Sequence, residues 1–122
     1  MSAFTTPLQL EYLDGMHYKL IAEFAFESEA AERIIRVPAG FITDFASIPR
    51  FFWRLLPPTG QYGKAAVVHD YLYSTHLVSK AIADKVFLEG MLVLEVPPWK
   101  ARLMYQAVHV FGGGPFDRSY QG

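Results

Sequence analysis

The hydrophobic positions along the chain recur with two different periods. From Leu8 to Leu13 (LQLEYL) apolar and polar residues partly alternate, Asp14–Gly15 is a tight-turn dipeptide, and His17–Glu27 (HYKLIAEFAFE) continues with β-branched and aromatic residues. This pattern predicts a hairpin. A polar, Ala/Glu-rich connection over Ser28–Glu32 leads to RIIRVP, a third short strand that Pro38 should end, because proline removes a ladder donor. The first part of the chain therefore reads as a small antiparallel sheet of about three strands.

From Ser47 onward the apolar residues recur at three- and four-residue spacings, which predicts helices. Four are expected: Ile48–Leu56, stopped by Pro57–Pro58; about Lys64–Ser74; about Ser79–Leu94, closed by Pro97–Pro98; and about Trp99–Phe111. FGGGPFDRSYQG then ends the chain as a flexible, glycine-rich tail. The expected fold class is α+β in a single domain over 1–122, with a β-rich part at 1–38, a helical part at 39–111 and the tail at 112–122.

With 122 residues, 52% of them hydrophobic, the chain can bury one core. A net charge of −1 supplies no basic footprint for phosphate, so nucleic acid is not an expected partner. The absence of cysteine excludes disulfides and thiolate metal sites, leaving oxygen or imidazole ligands for any metal. MSAFTTPLQLEYLDG shows neither a basic region nor an apolar run of the signal-peptide kind, and no stretch is apolar for long enough to form a spanning helix. An aromatic content of 16% points to some rings covering a protein partner, another copy included.

The candidate chemistry lies where polar residues interrupt apolar patterns. In AAVVHDYLYSTH, residues 65–76, apolar side chains surround the helix on nearly every side, which draws His69 and Asp70 out of water. Each then needs a partner, because burying an unpaired polar or charged group is costly. Adjacent helical residues point about 100° apart, so the two cannot simply bond each other. In SKAIADKVFLEGML, Asp84 falls inside the stripe of Ile82, Val86, Phe87 and Met91, four residues after Lys80. Antiparallel packing of the two helices would bring Asp84 to His69, fix the imidazole tautomer and leave the other ring nitrogen to accept a proton from water. In GFITDFASIPR, residues 40–50, Ser47 can cap the helix beginning at Ile48. Asp44 either serves a local turn, pairs with Arg50 or Arg54, or shares a cation with Asp70, the oxygen-rich kind of site that calcium or magnesium takes.

VPAGFITDFASIPRFFWRLLPPTGQYGKAAVVHDYLY, followed by SKAIADKVFLEGM, resembles the domain-of-unknown-function 1353 family of small proteins encoded largely by tailed phages and prophages. The resemblance runs from about Ile34 to Phe111. It implies a phage or prophage origin and hence synthesis in the host cytoplasm; the aromatic content, the Pro-rich corners and the GGGPFDRSY tail add the expectation of a place in the virion or at a host target, with other phage structural proteins or a host protein as partners. HDYLY followed by ADKVF is also similar to the His-Asp motif of secreted calcium-dependent phospholipases. That similarity implies His69 as the base activating water, Asp70 as a calcium ligand, Tyr73 as a supporting donor and Asp84 as the orienter of the histidine. The disulfides and glycine-rich calcium loop of those enzymes have no counterpart in this sequence.

Two functional expectations follow. One is a non-catalytic virion, tail or host-interaction module built around a buried His-Asp polar network. The other is a cation-assisted hydrolase acting on a lipid ester or cell-envelope substrate, with His69, Asp84 and Tyr73 catalytic and Asp70 and Asp44 at the metal. His17, His76 and His109 read as surface or structurally satisfied side chains.

Overall fold

The computed structural model describes residues 2–15, 17–45, 47–48, 54 and 62–119, the side chains of Pro115, Arg118 and Ser119 excepted. Among the described residues six short strands come first: β1 (Ala3–Phe4), β2 (Leu10–Asp14), β3 (His17–Leu20), β4 (Phe24–Ser28), β5 (Arg33–Val37) and β6 (Ile42–Thr43). Three long helices follow, α1 (Gly63–Thr75), α2 (Lys80–Val93) and α3 (Pro98–Phe111), and then the short α4 (Gly113–Ser119). The chain is thus α+β, with antiparallel sheets followed by helices. Among the described residues the long helices number three where about four were expected, and the single sheet is instead two three-stranded sheets, ordered β1-β4-β5 and β2-β3-β6. Of the expected helix Ile48–Leu56 only Ile48 and Arg54 are described, so that expectation lies outside the described residues, as do Arg50 and the Phe51–Trp53 aromatics.

The second sheet arises because the segment read as one strand, His17–Glu27, bends at Ile21–Ala22. On one side of the bend Leu20 donates to the Phe41 carbonyl and Ile21 to that of Gln9. On the other side β4 takes β1 and β5 as partners, pairing Phe26 with Phe4 and Ile35. Leu20, Phe24 and Phe26 all stay inward and fully buried across the bend. The alternation keeps its phase, and the pattern therefore conceals the change of sheet. The expected β2–β3 hairpin forms, with Gly15 at φ 51 in its turn and a bulge between Tyr12 and Asp14.

Phe24, Phe26, Ile35 and Val37 form one wall of the core, and α1 fills its middle. Each such fully buried side chain contributes about 1.5–3 kcal/mol of apolar burial. Ten of the thirteen residues of α1 are buried, the behaviour of a helix that is apolar all round. Close approach of α2 depends on Gly90, where a Cβ would lie 3.1 Å from that of Ala65 and 3.3 Å from the Phe4 ring. Ser79 caps α2 by accepting from the Ile82 N–H. α3 packs chiefly on α2 and α4, whereas contacts with the strands come from α1 and α2. No helix among the described residues is long and apolar enough to cross a membrane.

Residues 113–119, read from their glycines as part of a flexible tail, form a helix in which Phe116 stacks on the His76 ring at 3.7 Å and meets Tyr73 edge-on at 5.1 Å. His76 ends α1 in the left-handed conformation, and its Nε2 bonds the Phe116 carbonyl at 2.8 Å. These aromatic contacts supply the order that glycine composition alone argues against.

Candidate functional site

Because α1 is surrounded, its two consecutive polar residues must be answered from different elements. His69 turns toward α2, where its Nε2 lies 2.8 Å from Asp84 Oδ1. A carboxylate only accepts, so the proton is assigned to Nε2, and Nδ1 becomes the acceptor for the Ser47 hydroxyl at 3.0 Å. Burial lowers the histidine's pKa from its ordinary value more strongly than the Asp84 carboxylate raises it. The ring is therefore a neutral imidazole, and it is held between Tyr73 and Phe87 at centroid distances of 4.2 and 4.8 Å.

Asp84 gathers donors from three directions. The Tyr73 hydroxyl donates to Oδ1 at 2.6 Å and Lys80 Nζ to Oδ2 at 2.7 Å, in addition to His69. Burial works to raise the Asp84 pKa, but these donors outweigh it and hold the carboxyl below its ordinary value. Burial pushes the Tyr73 phenol up, and the adjoining carboxylate pushes it further. Lys80 also donates to the carbonyls of Val108 at 3.1 Å and His109 at 2.9 Å. One ammonium thus answers a buried anion and the negative end of α3 together. His109, half exposed, stands at the rim with Nδ1 3.6 Å from Asp84 Oδ2.

Asp70 turns the other way, toward the segment leaving β6. Its Oδ2 accepts from the Thr43 hydroxyl at 2.6 Å and its Oδ1 from the Ser47 N–H at 3.4 Å. Burial pushes this carboxyl up to about 6; Thr43 and Ser47 oppose the rise, and the nearby Asp44 carboxylate adds to it. Thr43 and Ser47 reach Asp70 together because the chain reverses between them, with Phe45 at φ 57 and its N–H held by Thr43 Oγ1 at 3.2 Å. A bulky residue in the left-handed region is costly, and such strain collects at functional sites.

The structure therefore joins His69, Tyr73 and Asp84 directly and sets Asp70 and Asp44 on the opposite side of the imidazole. Asp44 is half-buried and near enough to Asp70 to be felt electrostatically. Among the described residues no three His, Asp or Glu side chains converge as a cation site would need. Two participants escaped the sequence reading. Ser47, read as a helix cap, is the partner of His69 and Asp70, and Thr43 is the main donor to Asp70. Both lie in the GFITDFASIPR motif, more than twenty residues from His69 and Asp70, and tertiary pairing of β6 with β3 brings the motif to α1. Chemically, hydroxyl, imidazole and carboxylate stand in hydrogen-bonded order, with Nδ1 the group able to take a proton. Ser47, His69 and Asp84 are each 0% exposed.

Two curated relatives resemble the chain, both from Sinorhizobium fredii. "Uncharacterized protein y4jT" is 37% identical over 97 residues, covering 78% of this chain and 29% of the relative. "Uncharacterized protein y4iH" is 35% identical over 72 residues, covering 57% of this chain and 30% of the relative. The chain spans less than a third of the length of these curated relatives. No solved structure matches it. The family described as "Protein of unknown function (DUF1353)" matches residues 18–108, which include both polar motifs and every strand and helix that holds them, and the chain belongs to that family.

Proposed function

We propose that this protein is a non-catalytic module of phage or prophage origin, associated with a virion, a tail or a host target, in which the His69–Asp84 network is an internal frame. The observation that carries this reading is the dryness and completeness of the network. Ser47, His69 and Asp84 have no exposed surface, and among the described residues no buried side-chain nitrogen or oxygen lacks a hydrogen-bond partner. With both imidazole nitrogens engaged, no atom of the ring is left to meet a substrate. The phage assignment rests on the resemblance of the two motifs, and exposed rings such as Trp99 and Tyr12 suit a chain that covers a neighbour. Mass spectrometry of purified particles, together with cross-linking in induced cells, tests it. The chain recovered in particles, or cross-linked reproducibly to one phage or host protein, supports the module. A chain found only as a free monomer overturns it.

The geometry also favours a second reading, a hydrolase with His69 as general base on a lipid ester or cell-envelope substrate. Its support is specific: Nε2 and the Tyr73 hydroxyl share Asp84 Oδ1, Nδ1 faces the strained Thr43–Ser47 segment, and Asp70 lies beside that segment. In this reading Asp70 and Asp44 hold calcium or magnesium, and the Ser47 hydroxyl occupies the place that a reacting water takes on opening. Phospholipid vesicles incubated with the full chain and titrated with calcium decide between the two. Turnover that is lost in His69→Asn while the thermal transition is kept favours the hydrolase, whereas the same absence of turnover in wild type and variant favours the frame.

A further inference from the structure

α3 leaves several of its apolar side chains facing outward. Ala101, Met104, Ala107 and Val108 are buried, while Trp99 is 62% exposed, Leu103 41% and Val110 65%. Trp99, Leu103, Gln106 and Val110 recur at four, three and four residues, so they share one face. Lys100 and Arg102 flank this stripe, with Lys100 Nζ 5.6 Å from the Trp99 ring centroid, and the helix carries no Asp or Glu. An apolar stripe with only cationic flanks calls for an acidic occupant.

The same chain carries a surface of that kind. The β4–β5 turn forms a depression of about 420 Å³ lined by Glu27, Ser28, Glu29, Glu32, Arg33 and Ile34. Glu27 and Glu32 are exposed on it, and Ile34 offers an apolar floor at 46% exposure. The turn is tied to α2, where Glu89 receives the Glu29 and Ala30 N–H groups at 2.8 and 3.2 Å and the Ser28 hydroxyl at 2.6 Å. The turn belongs to the strands and is anchored by α2, whereas α3 packs chiefly on α2 and α4. An isologous α3–α3 pair fits less well. Antiparallel matching of the stripe to itself would set Lys100 opposite the His109 of the other copy and leave both arginines without an acid.

We propose that the protein assembles head to tail, the α3 stripe of one copy seating Trp99 against the acidic β4–β5 turn of the next. Such a contact is heterologous and produces a ring or a filament. It uses exposed side chains of α3 and of the β4–β5 turn, none of which bonds His69 or Asp84, and holds whichever role the polar network plays. Sedimentation velocity on the full chain over a concentration series, at low and raised salt, tests it, with circular dichroism confirming the fold of each variant. The wild type should associate beyond a dimer at low salt and dissociate as salt rises. Trp99→Ser and Glu32→Lys should each weaken association by about tenfold or more. Mixed together, the two variants should form a dimer and nothing larger, because each retains one intact face. A wild type that stays monomeric at every concentration overturns the proposal. So does association unaffected by Glu32→Lys, the result expected of an isologous or unrelated contact.

Discussion

His69 and Asp84 are joined across the α1–α2 interface by a 2.8 Å hydrogen bond between two side chains with no exposed surface. The pair is electrostatically asymmetric. Burial keeps the imidazole neutral, while the collected donors keep the carboxyl ionised. The compensating charge comes from Lys80, whose side chain is 22% exposed and spans from the buried anion to the C-terminus of α3. The α1–α2–α3 packing thus turns on one carboxylate.

Asp84→Ala leaves the His69 N–H and the Tyr73 hydroxyl unpaired in a dry interior and removes the counter-ion of Lys80. Breaking a buried charged network by removing one partner costs about 3–5 kcal/mol, and this loss is expected in urea denaturation. Lys80→Met should cost less, on the order of 1–3 kcal/mol, because the ammonium is partly solvated and its loss strands the Asp84 carboxylate with two remaining donors. A result in the reverse order would place the stabilising charge elsewhere.

Glu89 is the second carboxylate on which several donors converge, and its work is to shape the β4–β5 turn. Besides the two backbone N–H groups and the Ser28 hydroxyl, Ser2 donates to it. Glu89→Ala should destabilise the fold by about 1–3 kcal/mol. The effect should be local, with faster hydrogen exchange at the Glu29, Ala30 and Ala31 amides and unchanged protection in α3. Uniform loss of protection would show that the turn is part of the global unfolding unit.

Gly112 sits where α3 meets α4 over the Tyr73 hydroxyl. A Cβ at this position would overlap the Val108 carbonyl oxygen and come within 2.5 Å of the Tyr73 oxygen. Gly112→Ala must therefore shift either the α3 C-terminus or the tyrosine that donates to Asp84. Overpacking of this kind costs about 1–3 kcal/mol, and equilibrium denaturation should show it together with a changed near-ultraviolet signal from Tyr73. An unperturbed transition would mean that the junction yields freely.

The legible parts of this molecule are those whose cause is local. His69 and Asp84 stood out because each interrupts an apolar helical stripe, and a polar residue there has to be answered from another element. The strand Arg33–Val37 and the stop at Pro38 could be read from propensity and proline alone. What stayed hidden depends on distant parts of the chain. Ser47 looks like a cap until β6 pairs with β3, and Glu89, between Leu88 and Gly90, looks like any surface glutamate until the β4–β5 turn arrives. The bend at Ile21–Ala22 keeps the inward phase of Leu20 and Phe24, so alternation cannot betray the change of sheet. The glycines at 112–114 predict freedom, and the stacking of Phe116 on His76 removes it.

Asp70 gives the stability a pH dependence whose sign can be worked out. Its folded pKa is pushed up to about 6 from 3.8, chiefly by burial, so the native state binds this proton more tightly than the unfolded chain. The group therefore favours folding fully below about pH 4, and that contribution is lost as pH rises through about 6. His69 acts in the opposite sense. Its pKa is lowered, so its neutral form favours folding at high pH, and that contribution is lost as pH falls below its ordinary 6.5. The wild-type profile mixes the two, and the difference from Asp70→Asn isolates the carboxyl. Asparagine mimics the protonated acid, accepting from Thr43 without charge, so the variant should equal or exceed the wild type above pH 7, by on the order of 1–3 kcal/mol. Its stability should rise relative to wild type between about pH 4 and 6. Urea denaturation at half-unit pH steps measures the difference. A variant that loses stability at pH 8 as heavily as at pH 4 would show that folding does not raise the Asp70 pKa and that a pH-independent interaction, which asparagine does not reproduce, holds Thr43 and Ser47 in place.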